Sequence, residues 1–219
     1  MITKYGYTTV GIISFISFIL IASSFFMNSL VLRGLIILLA IIMMIFTLNF
    51  FRDPERITPK DDEAVFSPAD GRVLFVKEVD DNKFVNGKAK QVSVFMSPLN
   101  VHVNRIPIDG VVEMVRYCEG EYLVAYDDKA SEKNERSEIG ITSKYGKVFF
   151  TQVAGFVARR IIYDLKNGQA VKAGERFGMI KFGSRVDVIV PVECEVMVSK
   201  DEVVTAGETI LFRFPRNNQ

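Results

Sequence analysis

Two apolar runs at the start of the chain, Tyr7 to Met27 and Leu30 to Phe51, constrain the fold more than any other feature of the sequence. The first is uncharged and the second is broken only by Arg33. A helix rises ~1.5 Å per residue, so about 20 residues cross the ~30 Å hydrocarbon core of a bilayer, and each run is long enough. Asn28-Ser29 is the turn between them, which predicts a tight helical hairpin with Arg33 near enough to the turn to reach the headgroups. Lys4 before the first span and Arg52, Arg56 and Lys60 after the second place both ends on the cytoplasmic side of the cell membrane. A cleaved signal peptide ending at Ala22-Ser23-Ser24 is a competing reading. It ranks lower, because the apolar stretch runs past that site and a second span follows at once. A plain anchor and the attachment of an enzyme to its lipid substrate would use the same hairpin.

The chain combines 49% hydrophobic residues with 24% charged ones, and the two sets occupy different places: the first fifty residues carry only Lys4 and Arg33. Residues 1–51 are therefore a hairpin, residues 52–64 a juxtamembrane linker turned off the helix by Pro54 and Pro59, and residues 65–219 a separate domain. In that domain short β-forming runs alternate with turn residues: Arg72 to Glu78, Gln91 to Met96, Gly110 to Tyr117, Gly140 to Thr142, Lys147 to Gln152, Val186 to Val190, Cys194 to Ser199 and Thr209 to Phe214. The pattern predicts a mainly antiparallel β-fold with few helices, a barrel-sandwich or half-barrel. Val153 to Lys166 is the best helix candidate, stopped by Asn167-Gly168, and the polar stretch Ala125 to Ser137 reads as a loop. A net charge of +1 argues against a nucleic-acid partner. Two cysteines, Cys118 and Cys194, are too few for a disulfide framework or a cysteine zinc site and read as two buried thiols; no metal is expected.

Val171-Lys172-Ala173-Gly174-Glu175 and Val203-Val204-Thr205-Ala206-Gly207-Glu208 share an Ala-Gly-Glu turn ahead of a β-run. This is similar to the turns of biotinyl and lipoyl carrier half-barrels, so an anchored carrier or adaptor is an alternative reading. A carrier needs a modifiable lysine at a hairpin tip, normally flanked by Met, and no such tripeptide occurs.

Chemistry centres on Gly183-Ser184 within Lys181 to Asp187. Glycine tolerates bent backbone, so a Gly-Ser bond can be held with the hydroxyl aimed at the preceding carbonyl, although Gly-Ser alone more often marks a turn. A serine hydroxyl needs a base, and the single histidine, His102, is the candidate, with a ring that alternation turns away from Val101 and Val103. A carboxylate to orient the imidazole is offered by Asp70 in Pro68-Ala69-Asp70-Gly71, a turn with Gly71 expected at positive φ. The same three side chains would also serve a membrane serine hydrolase acting on an external ester.

Phe66 to Val73, Phe95 to Pro107, Glu132-Lys133-Asn134-Glu135-Arg136, Ala154 to Ile161, Gly178 to Asp187 and Phe50-Phe51-Arg52-Asp53-Pro54 together resemble the short form of the phosphatidylserine decarboxylase family. The resemblance spans nearly the whole chain. It implies a precursor cut between Gly183 and Ser184 by a triad of Asp70, His102 and Ser184 into a large and a small chain. It further implies a covalent pyruvoyl group made from Ser184, which forms a Schiff base with the substrate amine, and decarboxylation of phosphatidylserine to phosphatidylethanolamine in phospholipid biosynthesis. Longer members carry a second histidine where Arg105 stands, so that residue's role does not transfer. Asn104, Arg105, Arg159, Arg160 and Arg185 are candidates for holding substrate phosphate or carboxylate. Assembly into a homo-oligomer is left open.

Overall fold

The computed structural model describes residues 1–121, 133–155, 160–181 and 184–216, in two compact units, Met1–Glu55 and Arg56–Gln219. The first unit is the hairpin. Helix α1 (Tyr7–Ser24) and helix α2 (Leu30–Phe50) are both long and apolar enough to cross a membrane. Large side chains such as Phe15, Phe18, Leu39 and Ile45 point outward, whereas the small Ser17 and Ala40 are buried, with Ser17 Oγ donating to Ala40 O at 3.5 Å. Small residues let two helices approach where no hydrophobic drive separates lipid from protein.

Helix α1 stops at Ser24, three residues before the end of the apolar run. Ser23 and Ser24 turn their hydroxyls back onto Leu20 O at 3.0 Å and Ile21 O at 2.7 Å, which competes with continued helix. Ser29 caps α2 by accepting from Leu32 N, and Arg33 Nη2 donates to Met27 O at 3.0 Å in the connecting turn. The chain start is fastened to the end of α2, with Thr3 N donating to Phe51 O at 2.9 Å and Asp53 N to Met1 O at 2.7 Å.

The second unit is built from antiparallel strands. An eight-stranded sheet runs in the order β13 (Val203–Val204), β2 (Gly71–Asp81), β3 (Gly87–Met96), β11 (Ser184–Pro191), β7 (Lys147–Ala154), β6 (Arg136–Thr142), β5 (Gly110–Cys118), β9 (Ala170–Val171). Two three-stranded sheets flank it: β1 (Ala64–Phe66), β14 (Ile210–Arg213), β12 (Glu195–Val196); and β4 (Val103–Arg105), β10 (Arg176–Lys181), β8 (Arg160–Tyr163). Bulges between Val73 and Phe75 and between Val112 and Met114 bend the large sheet into a half-barrel. Strand β11 lies near its middle and alternates cleanly. Val186, Val188 and Val190 join a core with Val92, Val94, Ile139, Ile141 and Phe150, and Arg185 and Asp187 take the other face.

Four sequence expectations change. Where it is described, Val153 to Lys166 is strand and turn: Val153 and Ala154 finish β7, Arg160–Tyr163 form β8 against β10, and Gly168 sits at φ +81° in a turn. Pairing with β10 overrides the helical pattern, and residues 156–159 lie outside the described residues. Of the loop over Ala125 to Ser137, residues 125–132 lie outside the described residues and Arg136 and Ser137 open β6. Cys118 is half-buried; only Cys194 is buried. Gly71 does not adopt positive φ; it is needed because a Cβ there would run into the carbonyl of Phe95 across the β2–β3 ladder.

Candidate active site

Ser184 is the first residue of β11, faces Met96 of β3 on one side and Ala154 of β7 on the other, and is fully buried. Its hydroxyl donates to the Met96 thioether at 3.3 Å, a weak acceptor that leaves the oxygen's lone pairs directed elsewhere. Asn134 Nδ2 donates to Ala154 O at 2.7 Å and Ala154 N to Glu135 O at 2.9 Å, so the Asn134-Glu135 segment docks on the same corner. Gly183, the residue before Ser184, lies outside the described residues.

Behind Met96 runs a buried amide chain. Asn104 Nδ2 reaches Met96 Sδ at 3.8 Å and Pro68 O at 3.3 Å, its Oδ1 accepts from Gln152 Nε2 at 2.8 Å, and Gln152 Oε1 accepts from Ser137 Oγ at 2.7 Å. Every member has a partner, which holds Met96 and the head of β11 rigidly. Gln152 had no signal in the sequence beyond its polarity in a β-run, and Ser137 fell at the end of the stretch that reads as a loop.

His102 is fully buried just before β4. Its backbone carbonyl accepts from Ile180 N at 3.4 Å, on the strand that leads toward Ser184. The ring Nδ1 lies 2.9 Å from Asn100 O. A carbonyl only accepts, so Nδ1 carries the proton and Nε2 is the basic nitrogen of the neutral ring. The orienting contact at Nδ1 is thus a backbone carbonyl two residues away.

Asp70 sits at the end of a turn that is stapled to β4, since Pro68 O accepts from Arg105 N at 2.9 Å and Phe66 N donates to Pro107 O at 2.8 Å. Its carboxylate accepts from Arg56 Nη2 at 2.8 Å and from Ala206 N at 2.8 Å. Arg56 was read from the sequence only as a membrane-flanking charge.

The candidate anion-binding residues divide. Arg185 is fully buried on the face of β11 opposite Ser184, its Nε 2.9 Å from Asp187 Oδ1 and its guanidinium over the Phe75 ring at 5.5 Å. Arg105 is buried with Nη1 on Gly174 O at 2.8 Å. A Cβ on Gly207 would come within 3.3 Å of Gly174 Cα and 3.0 Å of Arg105 Cδ, so the two Ala-Gly-Glu turns, with Gly174 at φ +82° and Gly207 at φ +73°, meet around this side chain. Arg160 is exposed and lies opposite Lys181 in the β8–β10 register, and Arg159 lies outside the described residues. Burial, and then the neighbouring Arg160 charge, pushes the Lys181 ammonium below its ordinary range. Lys181 escaped sequence reading although it stands three residues before Ser184.

A buried serine at the head of a central strand, the chain's single histidine just ahead of β4 and a stapled Asp-Gly turn define a β-domain enzyme that follows an apolar helical hairpin. A family model described as phosphatidylserine decarboxylase matches residues 43–212. A phosphatidylserine decarboxylase proenzyme of Chlorobium limicola is 48% identical over 215 residues, 98% of this chain and 100% of that protein. One of Salinibacter ruber is 50% identical over 186 residues, covering 84% of this chain and 82% of its own. The chain belongs to the phosphatidylserine decarboxylase family, whose members are carboxy-lyases.

Proposed function

We propose that this chain is a membrane-anchored precursor that cuts itself between Gly183 and Ser184 and then decarboxylates phosphatidylserine to phosphatidylethanolamine. The observation that carries the reading is Ser184 itself: buried, fixed at the head of a central strand, with its hydroxyl on a weak thioether acceptor. His102, protonated at Nδ1 by its bond to Asn100 O, accepts the Ser184 proton at Nε2 as the oxygen attacks the Gly183 carbonyl. An ester replaces the amide. β-Elimination releases the Gly183 carboxylate, and water converts the dehydroalanine left at position 184 into a pyruvoyl group with loss of ammonia. With Nδ1 already bonded to a carbonyl, the share of Asp70 is electrostatic, stabilising the imidazolium that forms.

Position 184 fits such a group, because it is buried beside Met96 and Ala154 and held in register by a strand on each side. The pyruvoyl carbonyl supplies the electron sink that loss of CO₂ from an α-amino acid headgroup requires. Arg160 and Lys181, cross-strand neighbours at the end of β10, are the pair that binds the headgroup anion, with Arg159 a further candidate; Arg105 and Arg185 hold the fold instead. His102 returns a proton to the substrate carbon. The hairpin anchors the protein in the cell membrane with the β-unit on the cytoplasmic side.

Intact mass of the purified protein tests the reading. Wild type is expected as two chains, the small one blocked to Edman degradation, and Ser184→Ala as one uncut chain without decarboxylase activity. An active wild type that is continuous across residues 183 and 184 refutes it. Labelling of Ser184 by a fluorophosphonate in the mature protein would favour the serine-hydrolase reading instead.

A further inference from the structure

Asp70 accepts from donors that come from opposite ends of the β-unit. Arg56 Nη2 reaches Oδ2 at 2.8 Å from the segment that follows the hairpin, and Ala206 N reaches Oδ1 at 2.8 Å from the C-terminal turn. The two ends also hold each other: Arg56 Nη1 lies 3.5 Å from Glu208 Oε2, and Ile57 N donates to Glu208 Oε1 at 3.2 Å. Gly207 N donates to Ser67 O at 2.8 Å and Ser67 N to Thr209 O at 2.7 Å, so the C-terminal turn is clamped against the strand end that leads to Asp70. The Arg56 and Asp70 side chains are only 18% and 14% exposed, which shields the pair from solvent far more than a surface bridge.

We infer that Arg56 is a positioning residue for Asp70, which makes the juxtamembrane segment a working part of the processing site as well as a tether. The inference rests on the self-cleavage reading above. Its physical content lies in the planar guanidinium, which presents one nitrogen to Asp70 and another to Glu208 and thereby sets the carboxylate's orientation. A neutral side chain would take from the Asp70 carboxylate its charged donor and leave the Ala206 amide in place. A lysine would restore charge at one partner without the fork.

The test measures self-cleavage of the full chain in detergent, by gel and intact mass, for wild type, Arg56→Gln and Arg56→Lys, with thermal melting of each as the control for folding. Loss of one charge-assisted bond predicts cutting about tenfold slower in Arg56→Gln and roughly threefold slower in Arg56→Lys. The partial rescue by lysine separates positioning from mere stability. Wild type that cuts beside an Arg56→Gln chain cutting equally fast overturns this inference alone, as does an Arg56→Lys chain no faster than Arg56→Gln. Wild type that stays one chain overturns the self-cleavage reading and this inference with it. Should Arg56→Gln fail to fold, Arg56→Lys decides: wild-type cutting by that variant refutes the need for the fork, and the threefold loss with unchanged melting supports it.

Discussion

Glu138 offers the sharpest quantitative test of the fold. It lies on β6 opposite Arg116 of β5 and is fully buried, yet three cations converge on it. Lys83 Nζ is 2.7 Å from Oε1, Arg136 Nε 2.9 Å from the same oxygen, and Arg116 Nε donates to Oε2 at 2.8 Å. Burial by itself raises the carboxyl's pKa; the hydrogen bonds from Lys83, Arg136 and Arg116 outweigh it and hold the group at about 2, against an ordinary 4.5. Because the folded value is the lower one, the stabilisation is complete above pH 4.5 and drains away as pH falls toward 2. A gap of about 2.5 pH units at ~1.4 kcal/mol each is on the order of 3 kcal/mol. Lys83 and Arg116 are 39% and 55% exposed, so solvent screens part of this, and roughly 2 kcal/mol is the reasoned figure. Glu138→Gln in an uncut Ser184→Ala background should therefore lose roughly 2–3 kcal/mol at neutral pH, since it also leaves three cations facing one another. Urea unfolding in detergent, followed by tyrosine fluorescence because the chain has no tryptophan, measures it. The difference from the parent should shrink by roughly 1–2 kcal/mol at pH 3. An equal difference at both pH values would show that the charge is not what the three cations hold.

The amide chain and the cysteines give two further outcomes. Asn104→Ala strands the Gln152 Nε2 donor in a buried site and removes a contact behind Met96, so it should cost roughly 2 kcal/mol by thermal melting and slow self-cleavage; unchanged cutting would detach the chain from the site. Burial pushes the Cys194 thiol up to about 12, whereas Cys118 is half-buried, so a disulfide reagent at pH 8 should label one thiol in the native protein and the second only after urea. Labelling of both at equal rates would contradict the packing around β12.

What the sequence made legible follows from the range of each interaction. The hairpin is written in uninterrupted length, and β11 in the alternation of Val186, Val188 and Val190. Both are local patterns with one physical solution. Segment 153–166 misled because its apolar spacing suits a helix until β10 pairs with β8, a contact that no local pattern reveals. Arg185 was open to a better reading: Asp187 stands two residues along the same strand, hence on the same face, and an adjacent opposite charge argues for an internal pair. Arg105 was not, since Gly174 is 69 positions away; Glu138 was only in part, with Arg136 two residues along the same strand but Lys83 55 positions away. Among the proposed site residues, Ser184 and His102 were suggested by chemical type. The contacts that hold them, Met96 and Asn100 O, were not.

The place of the proposed cut in the topology explains how a chain can be severed there and keep its site. Lys181 ends β10, which belongs to the sheet with β4 and β8, while Ser184 begins β11, which belongs to the eight-stranded sheet. The chain changes sheets between the two residues, so no ladder has to continue through the junction. Each side is held independently: β10 pairs with Tyr163 to Arg160, and β11 pairs from Ser184 to Pro191 with β3 and from Ser184 to Ile189 with β7. Backbone pairing on both edges and the buried face of Val186, Val188 and Val190 keep the new chain start in place without the peptide bond that preceded it. A Gly-Ser bond inside a strand would, on breaking, leave two ladder ends competing with water. At a switch between sheets the paired strands on either side keep their own ladders, and the residue that gains a new end stays buried against Met96 and Ala154, where the chemistry is proposed to occur.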